Sequence, residues 1–272
     1  MTPVLKWAGG KGQLLDVIRA RMPQSYRNYY EPFLGGGAVF FSVAPKRAFV
    51  NDINEQLINL YRQLKASPAA VIGILEKLDA VPCDKAFYLD VRKRYNLKIS
   101  RRELDAECAA LMVWTNKRCF NGLYRVNSKG LFNVPYNNRV HVRSVSPENV
   151  LSIGKFLQSA DISFSCADFE YACRDVSAKD FVYFDSPYVP VNGAANFTSY
   201  TKDGFTWEDH QRLAALFRRL DAIGAKLMLS NHDAPLVRRL YDGFSIQSIP
   251  VKRLINCDGK KRTGQEVLIT NY

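Results

Sequence analysis

The sequence predicts an α/β fold, an open and largely parallel sheet interrupted by a helical and β-hairpin insertion. Three observations carry this reading. Four short apolar runs each end in polar or glycine residues, as strands do at the ligand edge of an open α/β sheet. More than a hundred residues of mostly helical spacing separate the second run from the third. A glycine cluster after the first run and a carboxylate after the second match the layout of a nucleoside-binding βαβ unit.

Tyr29-Tyr30-Glu31 reads as a short strand running into Pro32 and the glycines, and Ala48-Phe49-Val50 as a second strand ending at Asn51-Asp52. Phe181-Val182-Tyr183-Phe184 is an unbroken apolar run, the mark of a parallel strand covered on both faces. Lys226-Leu227-Met228-Leu229 is another, ending at Ser230-Asn231-His232-Asp233. Within the insertion, Ser67 and Pro68 read as N-cap and first helical residue, with Val71, Ile72, Leu75 and Leu78 along one face. Ser100 with Glu103 reads as a capping box for a second helix, whose face continues through Leu104, Cys108, Leu111, Met112 and Thr115. Leu123 to Val134 reads as two short strands around an Asn127-Ser128-Lys129-Gly130 turn.

A chain of 272 residues, 47% hydrophobic, suffices for one main core with an inserted module. No apolar run approaches the roughly 18 residues of a membrane span, and the start lacks the features of a signal peptide, so a soluble, unexported protein is expected. The six cysteines show neither paired nor zinc-like spacing and read as reduced, mostly buried thiols. His141, His210 and His232 have no metal-like spacing, and no metal is expected; His232 reads as a hydrogen-bonded residue near the site. A net charge of +12 favours a polyanion, nucleic acid or an anionic membrane surface, as partner. From Cys108 to Pro147 there is no acidic residue, while Lys117, Arg118, Arg125, Lys129, Arg139 and Arg143 are cationic, the pattern of a phosphate-contacting face. Arg92-Lys93-Arg94 and Lys260-Lys261-Arg262 either extend that face or are simply exposed.

Phe33-Leu34-Gly35-Gly36-Gly37 lies between a strand and a helical segment, where backbone approaches a ligand closely, and Asp52 is placed to accept hydrogen bonds from ribose hydroxyls. Asp185-Ser186-Pro187-Tyr188 puts a carboxylate, a rigid turn and an aromatic ring at the end of the most apolar strand. That set suits transfer to a conjugated amino group such as adenine N6, whose lone pair is a poor nucleophile. Asp185 and the Ser186 carbonyl can accept the amino hydrogens as the nitrogen pyramidalises, and Tyr188 can stack on the base.

Several segments occur together in one order: Lys6-Trp7-Ala8-Gly9-Gly10-Lys11, Glu31 to Gly37, Asp52-Ile53-Asn54, Asn121 to Arg125, Phe132 to Pro135, Asp185 to Tyr188, Asn196-Phe197-Thr198 and Ser230 to Asp233. In these the chain resembles Dam-type adenine-N6 DNA methyltransferases along nearly its whole length. The resemblance implies a Rossmann-like S-adenosylmethionine-dependent methyltransferase sheet with an inserted DNA-recognition module. Residues 1–56 plus 161–272 would be catalytic, and 57–160 would read the target. Trp7, Ala8, Lys11, Phe33, Gly35, Gly37, Asp52, Ile53, Asp168, Phe169 and Asp185 would surround S-adenosylmethionine, with Asp168 meeting its adenine amino group. Asp185, Ser186, Pro187 and Tyr188 would be the catalytic tetrad. Double-stranded DNA would meet Lys6, Arg118, Phe120, Asn121, Leu123, Arg125, Pro135 and Arg139, with Arg125 on a guanine edge, Leu123 and Pro135 on a thymine methyl, Lys6 on the outer guanine and Asn121 near the base left unpaired by flipping. GATC is the implied target, and a monomer in the cytoplasm of a bacterial or phage-infected cell is expected.

Two residues depart from the family pattern. The tetrad has Ser186 where proline is usual, and Phe120 stands where a tyrosine commonly inserts beside the flipped base. Among rivals, rRNA and protein-glutamine methyltransferases favour an N-P-P-Y tetrad. A cytosine C5 enzyme needs a nucleophilic cysteine at a strand end, and Pro82-Cys83 is not so placed. A non-catalytic DNA-binding protein would not need Asp185, Tyr188 and the glycines together. Because residue 186 contributes its carbonyl, Ser186 preserves the chemistry while relaxing the turn. Ser186→Pro is therefore expected to match or exceed the parent in initial rate with a labelled methyl donor; a slower variant would overturn that account.

Overall fold

The computed structural model describes residues 1–189, 204–252 and 263–272. Asn196-Phe197-Thr198, Cys257 and the Lys260-Lys261-Arg262 cluster lie outside the described residues. Among the described residues, seven strands form one sheet: β1 (Tyr29–Glu31), β2 (Arg47–Asn51), β3 (Asp161–Ser165), β4 (Phe181–Phe184), β5 (Lys226–His232), β6 (Ser245–Lys252) and β7 (Thr263–Thr270). Their order is β3-β2-β1-β4-β5-β7-β6. The first five are mutually parallel, and β7 runs antiparallel to both β5 and β6. The order reverses direction between β1 and β4, the topological switch point at which open sheets bind ligands.

The helices are α1 (Leu15–Arg21), α2 (Ala38–Val43), α3 (Glu55–Ala66), α4 (Pro68–Asp79), α5 (Lys85–Arg101), α6 (Ala106–Arg118), α7 (Pro147–Ser159), α8 (Phe169–Ala172), α9 (Trp207–Ala222) and α10 (Pro235–Leu240). The central strands are apolar on both faces because each face meets its own core. Phe181, Tyr183 and Met228 join one apolar cluster, while Val182, Phe184, Leu227 and Leu229 join the other, following the two-residue period of a strand. The first cluster continues without a break into the inserted helices through Leu57, Leu64, Leu111, Trp114 and Ile153. Division at 56/57 would cut α3 within its first turn, whereas division at 160/161 falls between α7 and β3.

The four expected strands are present. The three others were not legible: β3 lies at a sheet edge with alternating exposure, and β6 and β7 form an antiparallel pair rich in polar residues. Pro68 opens α4 and Val71, Ile72, Leu75 and Leu78 are buried as expected, although the Ser67 side chain makes no capping bond. The Ser100/Glu103 capping box is corrected. Ser100 lies inside the last turn of α5 and donates to the Asn96 carbonyl, and Glu103 pairs with Lys98. The chain turns at Arg102 (φ +54°), and Asp105 caps α6 by accepting from the Cys108 amide at 2.8 Å.

The hairpin also differs from two regular strands. Asn127 Oδ1 accepts from the amides of Lys129 and Leu131, and Gly130 closes the turn at φ +74°. Beyond the tip, pairing is limited to the isolated bridges Val126–Phe132 and Cys119–Tyr136. One face of α5 fastens the returning segment instead: Tyr88 and Arg92 donate to the Val134 carbonyl, and Asn96 exchanges two bonds with Phe132. Arg92 thus holds backbone and Arg94 pairs with Glu107, leaving only Lys93 of that cluster exposed and unassigned to a structural contact.

Arg118 requires a larger correction. Expected on the DNA face, it is 1% exposed. Its guanidinium pairs with Asp79 at 2.9 Å, donates to Ser144 Oγ and the Val142 carbonyl, and lies over the Trp114 ring. A buried arginine with these partners ties α4, α6 and the segment before α7 together and presents nothing to a phosphate. Removing one partner from such a pair strands a buried charge. Asp79→Ala is expected to destabilise the fold by about 3 kcal/mol in urea denaturation, with Asp79→Leu/Arg118→Met recovering most of the loss.

Candidate active site

The C-terminal ends of β1, β2 and β4 surround a cavity of ≈ 500 Å³ at the switch point. Every residue of the expected cofactor set lines it: Trp7, Ala8, Lys11, Phe33, Gly35, Gly37, Asp52, Ile53, Asp168, Phe169 and Asp185. Ser186, Pro187 and Tyr188 line the same cavity, so the expected cofactor set and the expected tetrad, which share Asp185, meet in one space. Its volume lies within the roughly 300–1,000 Å³ usual for small-ligand sites.

Backbone geometry explains the glycine cluster. Gly35 and Gly37 adopt φ of +50° and +72°, which side chains rarely tolerate. A Cβ on Gly35 would come within 2.9 Å of the Trp7 indole, so this glycine admits Trp7 as well as leaving the cavity open. Asp52 Oδ2 accepts from the Gly35 amide and Oδ1 from the Asn54 amide, both at 2.9 Å. Burial pushes its carboxyl up to about 6 against the pull of these two bonds, and no cation pairs with it among the described residues. Phe33, Phe169 and Phe205 form an aromatic wall with ring centroids 5.4–5.9 Å apart. Ile53 lines the cavity while 58% exposed. Asp168 caps α8 and pairs with Arg212 at 2.9 Å.

At the end of β4, Asp185 Oδ1 meets Lys11 Nζ at 2.5 Å and accepts from Ser230 Oγ at 3.2 Å. Burial raises the Asp185 carboxyl above its usual range, and Lys11 opposes the rise. Lys11 is almost fully buried, donates also to the Gly9 carbonyl at 2.7 Å, and stands 4.6 Å from the Tyr188 ring centroid. The Ser186 hydroxyl is buried 3.4 Å from Asn231 Nδ2, and Asn231 Oδ1 accepts from the Val189 amide, which fixes the turn beyond the tetrad. His232 contacts the Val189 carbonyl through Nδ1 (3.2 Å) and meets the Tyr188 ring edge-on.

The expected DNA-contacting set divides. Phe120 (52% exposed), Asn121, Arg125, Pro135 and Arg139 are exposed, Leu123 is half-buried, and Arg118 is buried as described. Arg125 Nε donates to Asn133 Oδ1 at 2.8 Å, which orients the guanidinium on the hairpin. Asn116 brings Lys6 to this loop: it accepts from the Lys6 amide and donates to the carbonyls of Lys6 and Gly122, at 2.8–3.0 Å. Trp7 stacks on Tyr124 at 5.3 Å, joining the cavity wall to the hairpin.

Sequence reasoning missed Glu31, Phe205 and Glu266. Glu31 ends β1 and accepts from the Tyr29 hydroxyl at 2.6 Å; burial holds its carboxyl well above the usual range. Its position at a strand end was a usable signal. Phe205 reaches the cavity only through the fold, and Glu266 belongs to a strand that was not read. Among the described residues, no group of three or more His, Cys, Asp or Glu is arranged to hold a metal, and no helix is long and apolar enough to cross a membrane. Of the six cysteines, Cys83, Cys108, Cys119 and Cys173 are buried free thiols and Cys166 is an exposed one.

The family model described as D12 class N6 adenine-specific DNA methyltransferase matches residues 7–255. The chain is 41% identical over 273 residues to the type II methyltransferase M1.LlaDCHI of Lactococcus lactis subsp. cremoris, covering 100% of this chain and 96% of that one. It is 41% identical over 289 residues to the type II methyltransferase M.MjaIII of Methanocaldococcus jannaschii, covering 99% of each. It is 36% identical over 273 residues to the DNA adenine methylase of Vibrio cholerae serotype O1, covering 98% and 95%.

A ligand hydroxyl bonds the Asp52 carboxylate more strongly than the protonated acid. Nucleoside affinity is therefore expected to fall as pH drops from 7.5 through about 6, with proton release on binding near the midpoint. Asp52→Asn is expected to bind roughly tenfold or more weakly and to lose most of that pH dependence, as read by titration calorimetry with S-adenosylmethionine and no DNA.

Proposed function

The chain belongs to the D12 class of N6 adenine-specific DNA methyltransferases, and from that membership we propose that it transfers a methyl group from S-adenosylmethionine to adenine N6 within GATC in double-stranded DNA. The observation that carries this reading is the single cavity shared by the cofactor set and the Asp185–Tyr188 segment. Its residues suit the donor: an aromatic wall for adenine, the Asp52 carboxylate for ribose hydroxyls and an open glycine turn between them. When bound, S-adenosylmethionine supplies an electrophilic methyl group.

The chain's own residues handle the acceptor. Asp185 and the Ser186 carbonyl accept hydrogen bonds from the two amino hydrogens of adenine as N6 pyramidalises, and Tyr188 stacks on the flipped base. Lys11 Nζ lies over the face of the same ring and pairs with Asp185 Oδ1, so an entering amino group competes with the ammonium for that oxygen. As N6 gains the methyl group it becomes cationic, and its proton departs through Asp185 or solvent. Burial that raises the Asp185 carboxyl makes it a better proton acceptor than an exposed aspartate.

Residues 57–160 form the target-reading unit in this reading, with 1–56 and 161–272 catalytic, and the enzyme acts as a monomer in the cytoplasm. Lys6, Phe120, Asn121, Leu123, Arg125, Pro135 and Arg139 meet the duplex; Arg118 is withdrawn from that set by its burial. Incubation with labelled S-adenosylmethionine and duplexes that differ only in GATC or GTAC is expected to give methyl-adenine in the GATC duplex alone. Labelling of both or of GTAC alone would discard the target sequence, and no transfer to either would discard the activity at these sites. Asp185→Ala is expected to lower transfer at least 100-fold, by loss of an acceptor to the reacting amino group.

A further inference from the structure

Tyr188 is held from two sides by residues that face each other across the sheet. Its hydroxyl donates to Glu266 Oε2 at 2.7 Å, and its ring meets the His232 ring edge-on with centroids 4.4 Å apart. Glu266 on β7 is the register partner of His232 on β5. Directly opposed residues in an antiparallel pair have adjacent Cβ atoms. The two strands therefore fix the polar tip and the body of one aromatic ring, while the ring still forms part of the cavity wall.

The bond also has a fixed direction. Burial, with Asp185 and Glu266 nearby, pushes the Tyr188 hydroxyl far above its ordinary range, so the phenol keeps its proton and acts as donor. A phenol bonded to a carboxylate carries more electron density in its ring than a free phenol does. Lys11 Nζ, 4.6 Å from the ring centroid, already sets a positive charge against that ring. Adenine acquires a positive charge at N6 as the methyl group is transferred, and cations are favoured over an electron-rich aromatic face.

We propose that Glu266 is a positioning residue for methyl transfer, fixing the plane of the Tyr188 ring and enriching the face on which the reacting adenine becomes cationic. This rests on the reading of Tyr188 as the stacking platform. It goes beyond that reading by assigning a second strand, outside the tetrad, to the same step. A stacking surface that is rigid before the base arrives loses no rotamer freedom when it stacks. The effect should fall on the chemical step, because the charge exists only as the new bond forms.

The test is steady-state kinetics on the GATC duplex with wild type, Glu266→Ala, Glu266→Gln, Tyr188→Phe and Glu266→Ala/Tyr188→Phe, together with cofactor affinity and Tm. Glu266→Ala is expected to lower kcat about tenfold, with KM for DNA and cofactor affinity within about twofold of wild type. Glu266→Gln keeps an oxygen acceptor but not its charge, and is expected to recover only part of the rate, the share that comes from fixing the ring. The double variant should be no slower than Tyr188→Phe alone, since both changes remove the same bond. Wild-type rates in Glu266→Ala, multiplying effects in the double variant, or equal damage in both Glu266 variants with a lowered Tm would overturn the proposal. The wild-type rate separates the two claims: an active wild type with silent Glu266 variants removes only the positioning role, and a wild type inactive on both the GATC and the GTAC duplex removes the proposed activity and this inference together.

Discussion

Three carboxyl groups close the ends of adjacent strands around one cavity, and they cannot share an ionised state cheaply. Glu31, Asp52 and Asp185 end or follow β1, β2 and β4, and among the described residues Lys11 is the only lysine or arginine lining the space they enclose. Each has a different remedy. Glu31 is held toward the neutral form by burial, against the pull of the bond donated by the Tyr29 hydroxyl. Asp52 is supported by two backbone amides and sits near the edge of ionisation. Asp185 has the ammonium. The Lys11–Asp185 pair in turn ties the N-terminal segment to the sheet, and Trp7 of that segment packs against the glycine turn. Charge placement at the switch point therefore organises both walls of the site.

The parts of this arrangement legible in the sequence were those with a local cause. β4 could be read because both its faces are buried, and the glycine turn could be read because positive φ selects glycine. The strand-end position of Asp185 followed from the first, and that of Asp52 from the apolar run Ala48-Phe49-Val50. What escaped had non-local causes. Arg118 belongs to a run without acidic residues, yet its partner Asp79 lies on a different helix, so a basic face and a buried ion pair look alike in sequence. Ser100 and Glu103 match a capping pattern, but the chain is still helical at Ser100, and the competing carboxylate of Asp105 caps the next helix. Glu266 reaches Tyr188 only because β7 inserts between β5 and β6, an order that no short pattern encodes.

The inserted elements are not hung on the sheet by a linker. They share its apolar core through α3, α6 and α7, and the loop that carries Phe120 and Asn121 is bonded to Lys6 by one buried amide, Asn116. The aliphatic stem of Lys6 lies so close over Gly122 that a Cβ there would meet it at 2.5 Å, and Gly122 adopts φ +65°. The stack of Trp7 on Tyr124 adds a second link. The N-terminal segment at the cavity and the hairpin are thus joined by packed and hydrogen-bonded contacts rather than by a flexible tether.

The Asn116 clamp has a consequence for anyone who would build new specificities from this scaffold. A cassette cut at the ends of the insertion, the target-reading unit of the proposed function, leaves behind the backbone of Lys6, to which its own central asparagine is bonded, and the indole on which its tyrosine rests. A chimera assembled that way would join a reading head to a foreign seat. The natural unit of exchange is discontinuous: the first eleven residues and the insertion have to travel together, and libraries that recombine them independently should yield mostly hybrids whose two grips on their substrates are out of register.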